Sequence, residues 1–218
     1  MTDWRQDAGR IPGIDLLTDE PMAKHTTYKV GGAAAAFVEV RNIPAMSALL
    51  DLLQARRVPY VILGNGSNVL FSDAGFQGAV IHLGEGFKHI ALRRDHHGPD
   101  AHRLEMGAAL TITRLLRVLK EEQISGVEFL GGVPGTVGGA VRMNAGTVLG
   151  EVKDTLESAQ LMAPGKPPYW LDVDALGMSY RRSELPPGAV VIGARFRCII
   201  YCPSVSQTHP ITTLPIDR

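Results

Sequence analysis

Cysteine is nearly absent from this sequence: Cys198 and Cys202 are the only two. With no second pair and no neighbouring histidine, they make neither a disulfide framework nor a zinc-ligand pattern. A surplus of charge is missing as well, since Lys+Arg and Asp+Glu number 22 each. No basic excess invites nucleic acid, and no polybasic run invites a membrane surface. No apolar run approaches the ~18 residues of a membrane-spanning helix. The first residues, MTDWRQDAGRIPGI, are too polar for a secretory signal peptide. His89, His96, His97 and His102 gather in one stretch without a spacing that would complete a metal site. What remains is a soluble globular composition, 45% hydrophobic and 20% charged, expected to be cytoplasmic and free of metal. The 218 residues allow one large domain or two small ones.

The pattern along the chain mixes strands and helices. Residues 1–20 read as a lead-in segment closed by Pro21. TYKVGGAAAAFVEV is extended, interrupted at Gly31-Gly32 and resumed over Ala36–Val40. Pro44 opens a helix with Met46, Leu49, Leu50 and Leu53 on one face. Tyr60 begins a short buried strand, GAVIHL is the next, and Phe87–Leu92 the one after. RRDHHGPDAH reads as a hairpin tip with RLEMGA returning. A helix capped by Thr111 places Ile112, Leu115, Leu116 and Leu119 together. Strands over Leu156–Met162 and Val190–Arg197 flank a short turn-helix at Val173–Leu176. Without regular βαβ alternation the class is α+β.

Three stretches carry chemistry. LGNGSNVLFSDAGFQG puts Gly64, Asn65, Gly66, Ser67 and Asn68 directly after a strand. Such a loop brings amide N–H groups close to phosphate oxygens, although a Gly-x-Gly there also serves a tight turn with positive φ. It lacks the Gly-Lys-Ser/Thr of a P-loop and the third glycine of a Rossmann fingerprint. LGGVPGTVGGAVRMNAG, residues 130–146, holds six glycines and no acidic residue. Its bare backbone either packs against another segment or lies against a large ligand. Two such stretches within ~80 residues favour a dinucleotide, with the diphosphate at one loop and the ring system at the other. SYRRS offers Arg181 or Arg182 as a planar fork for a carboxylate, unless the pair is merely solvated.

Together TTYKVGG, LGNGSNVLFSDAGFQGAVI, GVEFLGGVPGTVGGAVRMNAG and SYRRSEL, in this order over residues 20–198, resemble the UDP-N-acetylenolpyruvoylglucosamine reductase family. The resemblance implies a two-lobed FAD-binding domain of the p-cresol methylhydroxylase/vanillyl-alcohol oxidase type, with lobes over residues 21–85 and 86–198. It implies FAD on the loop Gly64–Asn68 and along a channel of Gly131, Gly132, Pro134, Gly135, Thr136, Gly138, Gly139, Asn144, Ala145 and Gly146. It further implies NADPH as hydride donor, a UDP-sugar as substrate, peptidoglycan precursor synthesis as the setting, and Arg181 as the cation that stabilises a developing enolate.

Members of that family continue into a third, substrate-binding domain with a proton-donating serine and a late glutamate. Here residues 199–218 form a tail with no glycine and three prolines, and no glutamate follows Glu184. The sequence therefore predicts no third domain. It leaves open, beside the reductase, an FAD-binding module without turnover and a flavin oxidase of the same fold.

Overall fold

The computed structural model describes residues 3–94, 102–200 and 211–213. Among these the architecture is mixed α+β, built on two main sheets. The chain enters through α1 (Trp4–Gly9), capped by Asp3, which accepts from the Arg5 amide. It continues into β1 (Ile14–Pro21), an edge strand antiparallel to β2 (Ala33–Val40). The lead-in segment thus contributes a helix and a strand to the first sheet. α2 (Ile43–Ala55) begins where Asn42 accepts from the Ala45 amide, and it buries Met46, Leu49, Leu50 and Leu53 as the spacing predicts. β3 (Tyr60–Leu63) and β4 (Phe76–Leu83) complete a sheet ordered β1-β2-β4-β3. β4 is parallel to both neighbours, and its Ala79, Val80 and Ile81 are fully buried, as expected of a strand covered on both faces.

The second sheet is antiparallel, with path β11 (Lys166–Asp172), β10 (Leu156–Ala163), β12 (Val190–Ile200), β6 (His102–Gly107), β5 (Ile90–Arg94) and β13 (Ile211–Thr213) among the described residues. β5 (Ile90–Arg94) pairs with β6 (His102–Gly107). The tip of their expected hairpin, residues 95–101, lies outside the described residues. β5 starts later than the sequence predicts, because Glu85–Phe87 forms a 3-10 turn in which Gly86 lies against the Arg41 carbonyl. α3 (Ile112–Glu121) follows, with Thr111 accepting from the Arg114 amide. After β7 (Ile124–Ser125) come α4 (Val137–Arg142), the small hairpin β8 (Gly146–Thr147) and β9 (Gly150–Glu151), and the single turn α5 (Val152–Thr155).

β10 (Leu156–Ala163) and β12 (Val190–Ile200) pair in the centre. β11 (Lys166–Asp172) is an edge strand whose Pro167 and Pro168 hide it from a strand reading; an edge tolerates missing donors. β13 (Ile211–Thr213) joins β5, and with Ile199 and Ile200 it is the part of the tail that is described. One apolar cluster runs through both halves, from Val38 and Ile81 to Leu104 and Phe196. The two sheets therefore present their facing loops at a fixed spacing.

Candidate functional site

β3 runs straight into the loop Gly64–Asn68, and the segment before β2 braces that loop from behind. Thr27 donates its amide to the Gly66 carbonyl at 3.0 Å. Gly66 has φ +64°, and a Cβ there would strike the His25 carbonyl and come within 2.8 Å of Thr26 Cα. The motif TTYKVGG is thus the outer wall of the glycine loop, and Gly66 is required by this approach.

The second glycine-rich stretch approaches from the other sheet. Thr136 caps α4 by accepting from the Gly139 amide at 3.3 Å. Gly138 donates to the Ala108 carbonyl at 2.9 Å, and a Cβ on it would sit 2.9 Å from the Ala108 Cβ. This close seat explains a helix that begins Val-Gly-Gly, a sequence that intrinsic propensity disfavours by about 1 kcal/mol per glycine.

The loops meet. Ser67 Oγ donates to the Pro134 carbonyl at 3.3 Å. A Cβ on Gly64 would lie 2.7 Å from Thr136 Oγ1, and one on Gly135 would lie 3.2 Å from Ser67 Oγ. Around this crossing lie two cavities of about 280 and 390 Å³, sharing Ile62, Gly64, Thr136, Gly139 and Arg142 as walls.

The smaller chamber is bounded by Gly64–Asn68, by Pro134–Thr136, and by Ala145 and Arg181. The larger is mostly apolar, with Leu63, Ala108, Ala109, Leu185, Ala189 and Val191 in its wall. Tyr60 closes its rim by donating to the Gly188 carbonyl at 2.7 Å, tying the first sheet to the second. Burial pushes the Tyr60 phenol above its ordinary value, so it remains a donor at neutral pH. Neither wall contains an aspartate or glutamate among the described residues.

Arg181 stands at the mouth, exposed and in a left-handed conformation at φ +57°. It occupies a tight turn closed by Ser179 and Arg182, whose amides and carbonyls exchange bonds of 2.9 and 3.0 Å. Both ends of the turn are held by residues around α4. Asn144 Nδ2 donates to the Ser179 carbonyl at 3.0 Å. Ser183 Oγ donates to the Arg142 carbonyl at 2.7 Å, and Arg142 Nη1 returns a bond to the Ser183 carbonyl at 2.5 Å.

Of the residues expected to line a channel, the structure gathers Gly64–Asn68, Pro134, Gly135, Thr136, Gly138, Gly139 and Ala145 around the two chambers. Four fall elsewhere. Gly131 meets little beyond the Glu128 carbonyl, and Gly132 faces open space. Gly146 packs on Gly150 and Glu151. Asn144 is 1% exposed, and its amide is engaged by Glu151 Oε2, the Ser179 carbonyl and the Lys153 amide. For Gly146 the close-packing alternative holds. Sequence reasoning missed Tyr60, the apolar wall and Arg142. Of these Arg142 carried a signal, being the single charge within residues 130–146.

The arrangement suits a ligand with a diphosphate and a flat ring system. The smaller chamber sets the glycine-loop backbone, Arg142 and Arg181 beside apolar surface from Ile62, Val69, Val133 and Met143, and the larger is mostly apolar. Residues 34–165 match the family described as FAD binding domain. The chain belongs to that family. It is 39% identical over 194 residues to a UDP-N-acetylenolpyruvoylglucosamine reductase of Agathobacter rectalis, covering 86% of this chain and 62% of the relative. It is 42% identical over 187 residues to the Myxococcus xanthus protein of the same name, covering 85% and 59%.

Among solved structures, the UDP-N-acetylenolpyruvylglucosamine reductase of Thermus caldophilus superposes with a TM-score of 0.68 at 31% identity, over 88% of this chain and 64% of that one. A VAO-type flavoprotein from Myceliophthora thermophila superposes at 0.61 and 17% identity, over 77% and 32%, which shows the shared FAD-domain fold alone. The chain spans about three-fifths of the length of the curated relatives. Among the described residues no helix is long and apolar enough to cross a membrane.

Proposed function

We propose that this chain binds FAD in the cleft between its sheets and serves the NADPH-dependent reduction of UDP-N-acetylglucosamine enolpyruvate to UDP-N-acetylmuramate in the cytoplasm. The observation that carries the reading is the meeting of two side-chain-poor loops across a cleft whose walls, among the described residues, hold no carboxylate. A cofactor with two negative phosphates and a large aromatic system suits a cleft that offers backbone amides, two arginines and apolar surface. The relatives named as reductases, similar over more than four-fifths of this chain, support the same activity.

In this reading the amides of Gly64–Asn68 hold the diphosphate, and Pro134, Gly135, Thr136, Gly138, Gly139 and Ala145 bound the channel. The apolar chamber beside Tyr60 takes a ring. Bound FAD would supply the hydride relay from NADPH to the enolpyruvyl double bond. Arg181 holds a fixed positive charge where the substrate's carboxylate and the adjacent carbon gain electron density. Its turn is anchored before the ligand arrives, so stabilising that charge requires little rearrangement.

The test is spectroscopic. Purified protein reconstituted with FAD should be yellow, bleach with NADPH under anaerobic conditions, and regain its colour on adding the enolpyruvyl nucleotide. Folded protein that stays colourless would overturn the proposal. Bleaching without recovery would assign a cofactor-binding module, and oxygen-dependent turnover of alcohols would assign an oxidase.

A further inference from the structure

Among the residues shared by the two chambers, Arg142 alone carries an ionic charge. We propose that Arg142 is a second diphosphate-binding group of the cleft, facing the amides of the glycine loop from the opposite wall. The inference rests on reading the cleft as a dinucleotide site and adds a residue that the loop motifs do not contain.

Three observations carry it. First, Arg142 is the last residue of α4 and a wall residue of both chambers. Gly64, the first residue of the glycine loop, is also a wall residue of both. A ligand running from one chamber to the other passes between them, and the part of a dinucleotide that joins its two halves is the diphosphate.

Second, the guanidinium is already oriented. Nη1 donates to the carbonyl of Ser183, a residue only 2% exposed, whose hydroxyl bonds back to the Arg142 carbonyl. A guanidinium is planar, so fixing one nitrogen sets the direction of the Nε and Nη2 donors as well.

Third, among the described residues Arg142 enters no ion pair. Neither chamber wall holds a carboxylate among those residues, and Glu184, which shares a third cavity with Arg142, pairs instead with Arg182 at 3.2 Å. A cation placed so is available to a ligand anion, and a planar fork matches two phosphate oxygens.

The experiment compares FAD, ADP and riboflavin, read by flavin fluorescence and by calorimetry, on the native chain, Arg142→Gln and Arg142→Lys. ADP keeps the diphosphate without the flavin, and riboflavin keeps the flavin without phosphate. Arg142→Gln should weaken FAD and ADP about tenfold or more, as expected for loss of a charge-assisted bond, while riboflavin changes less than about twofold. Arg142→Lys should recover part of the loss. Equal weakening of all three ligands, or unchanged FAD and ADP affinity, overturns the proposal.

A measurement without variants covers a Gln chain that does not fold. Phenylglyoxal modification of Arg142, read by peptide mass spectrometry, should be slowed by ADP and not by riboflavin; equal labelling in both overturns it. A native chain that binds none of the three ligands would instead remove the dinucleotide reading itself.

Discussion

At Asn144 one side-chain amide serves three partners: the Glu151 carboxylate, the Ser179 carbonyl and the Lys153 amide. The residue also sits at φ +41°, where asparagine is tolerated better than most side chains. The spacing MNAG places it in the glycine stretch but not in a wall of the cleft. It holds the Arg181 turn from beneath. Asn144→Ala should cost about 1–3 kcal/mol in unfolding free energy, because it leaves buried groups without partners; urea denaturation would measure this. Arg181→Ala, exposed and outside the core, should leave stability unchanged and FAD bound. It should slow reoxidation of the reduced flavin by the enolpyruvyl nucleotide about 100-fold or more, and stopped-flow absorbance would read it. At Cys198 burial pushes the thiol up to about 12. Since the thiolate is the reactive form, its peptide should resist iodoacetamide at neutral pH until the chain is unfolded, as mass spectrometry would show.

The elements with the least side chain are the ones most tightly determined by their neighbours. In the glycine loop, Gly66→Ala would force a Cβ into the backbone of His25 and Thr26 at a left-handed φ. It should displace the loop from its brace and reduce FAD retention on gel filtration. In α4, Gly138→Ala gains helix propensity of about 1 kcal/mol, yet the new methyl meets Ala108 at 2.9 Å. The clash should win, since overpacking costs about 1–3 kcal/mol, and the melting temperature should fall. This contest also explains what could be read in advance. α2 and α3 announce themselves through caps and apolar spacing. α4 does not, because its glycines answer to Ala108, which is some thirty residues distant in sequence.

Across the whole molecule, Glu105 fastens the second sheet. Arg93 Nε and Arg195 Nε lie 2.8 and 3.0 Å from its Oε2, and Arg195 stacks over Trp170 at 3.6 Å. Four strands are joined through these side chains. Burial pushes the Glu105 carboxyl upward, but the bonds from Arg93 and Arg195 outweigh it and hold the group below its ordinary 4.5. A carboxylate lowered in the fold adds stability above its unfolded pKa and loses it as pH falls through the folded value. Glu105→Gln should therefore lower the melting temperature at neutral pH and have less and less effect as the pH falls through the lowered folded value of the native carboxyl. Differential scanning calorimetry at neutral pH and along the acid limb would show the gap closing.

What the sequence determined by itself is local or cumulative: the α+β class, the capped helices, the two glycine-rich loops and the four ordered motifs behind the FAD-domain resemblance. These follow from periodicity, capping chemistry and residue type, each readable within a short window. Only the tertiary structure decided which glycines line the cleft and which pack on backbone, and that Gly64 opposes Thr136 while Gly146 packs on Gly150. It also decided that Asn144 supports the Arg181 turn and that Arg142 stands between two chambers. Those properties depend on separations between residues far apart in the chain, and such distances arise only when the two sheets pack around their common apolar core.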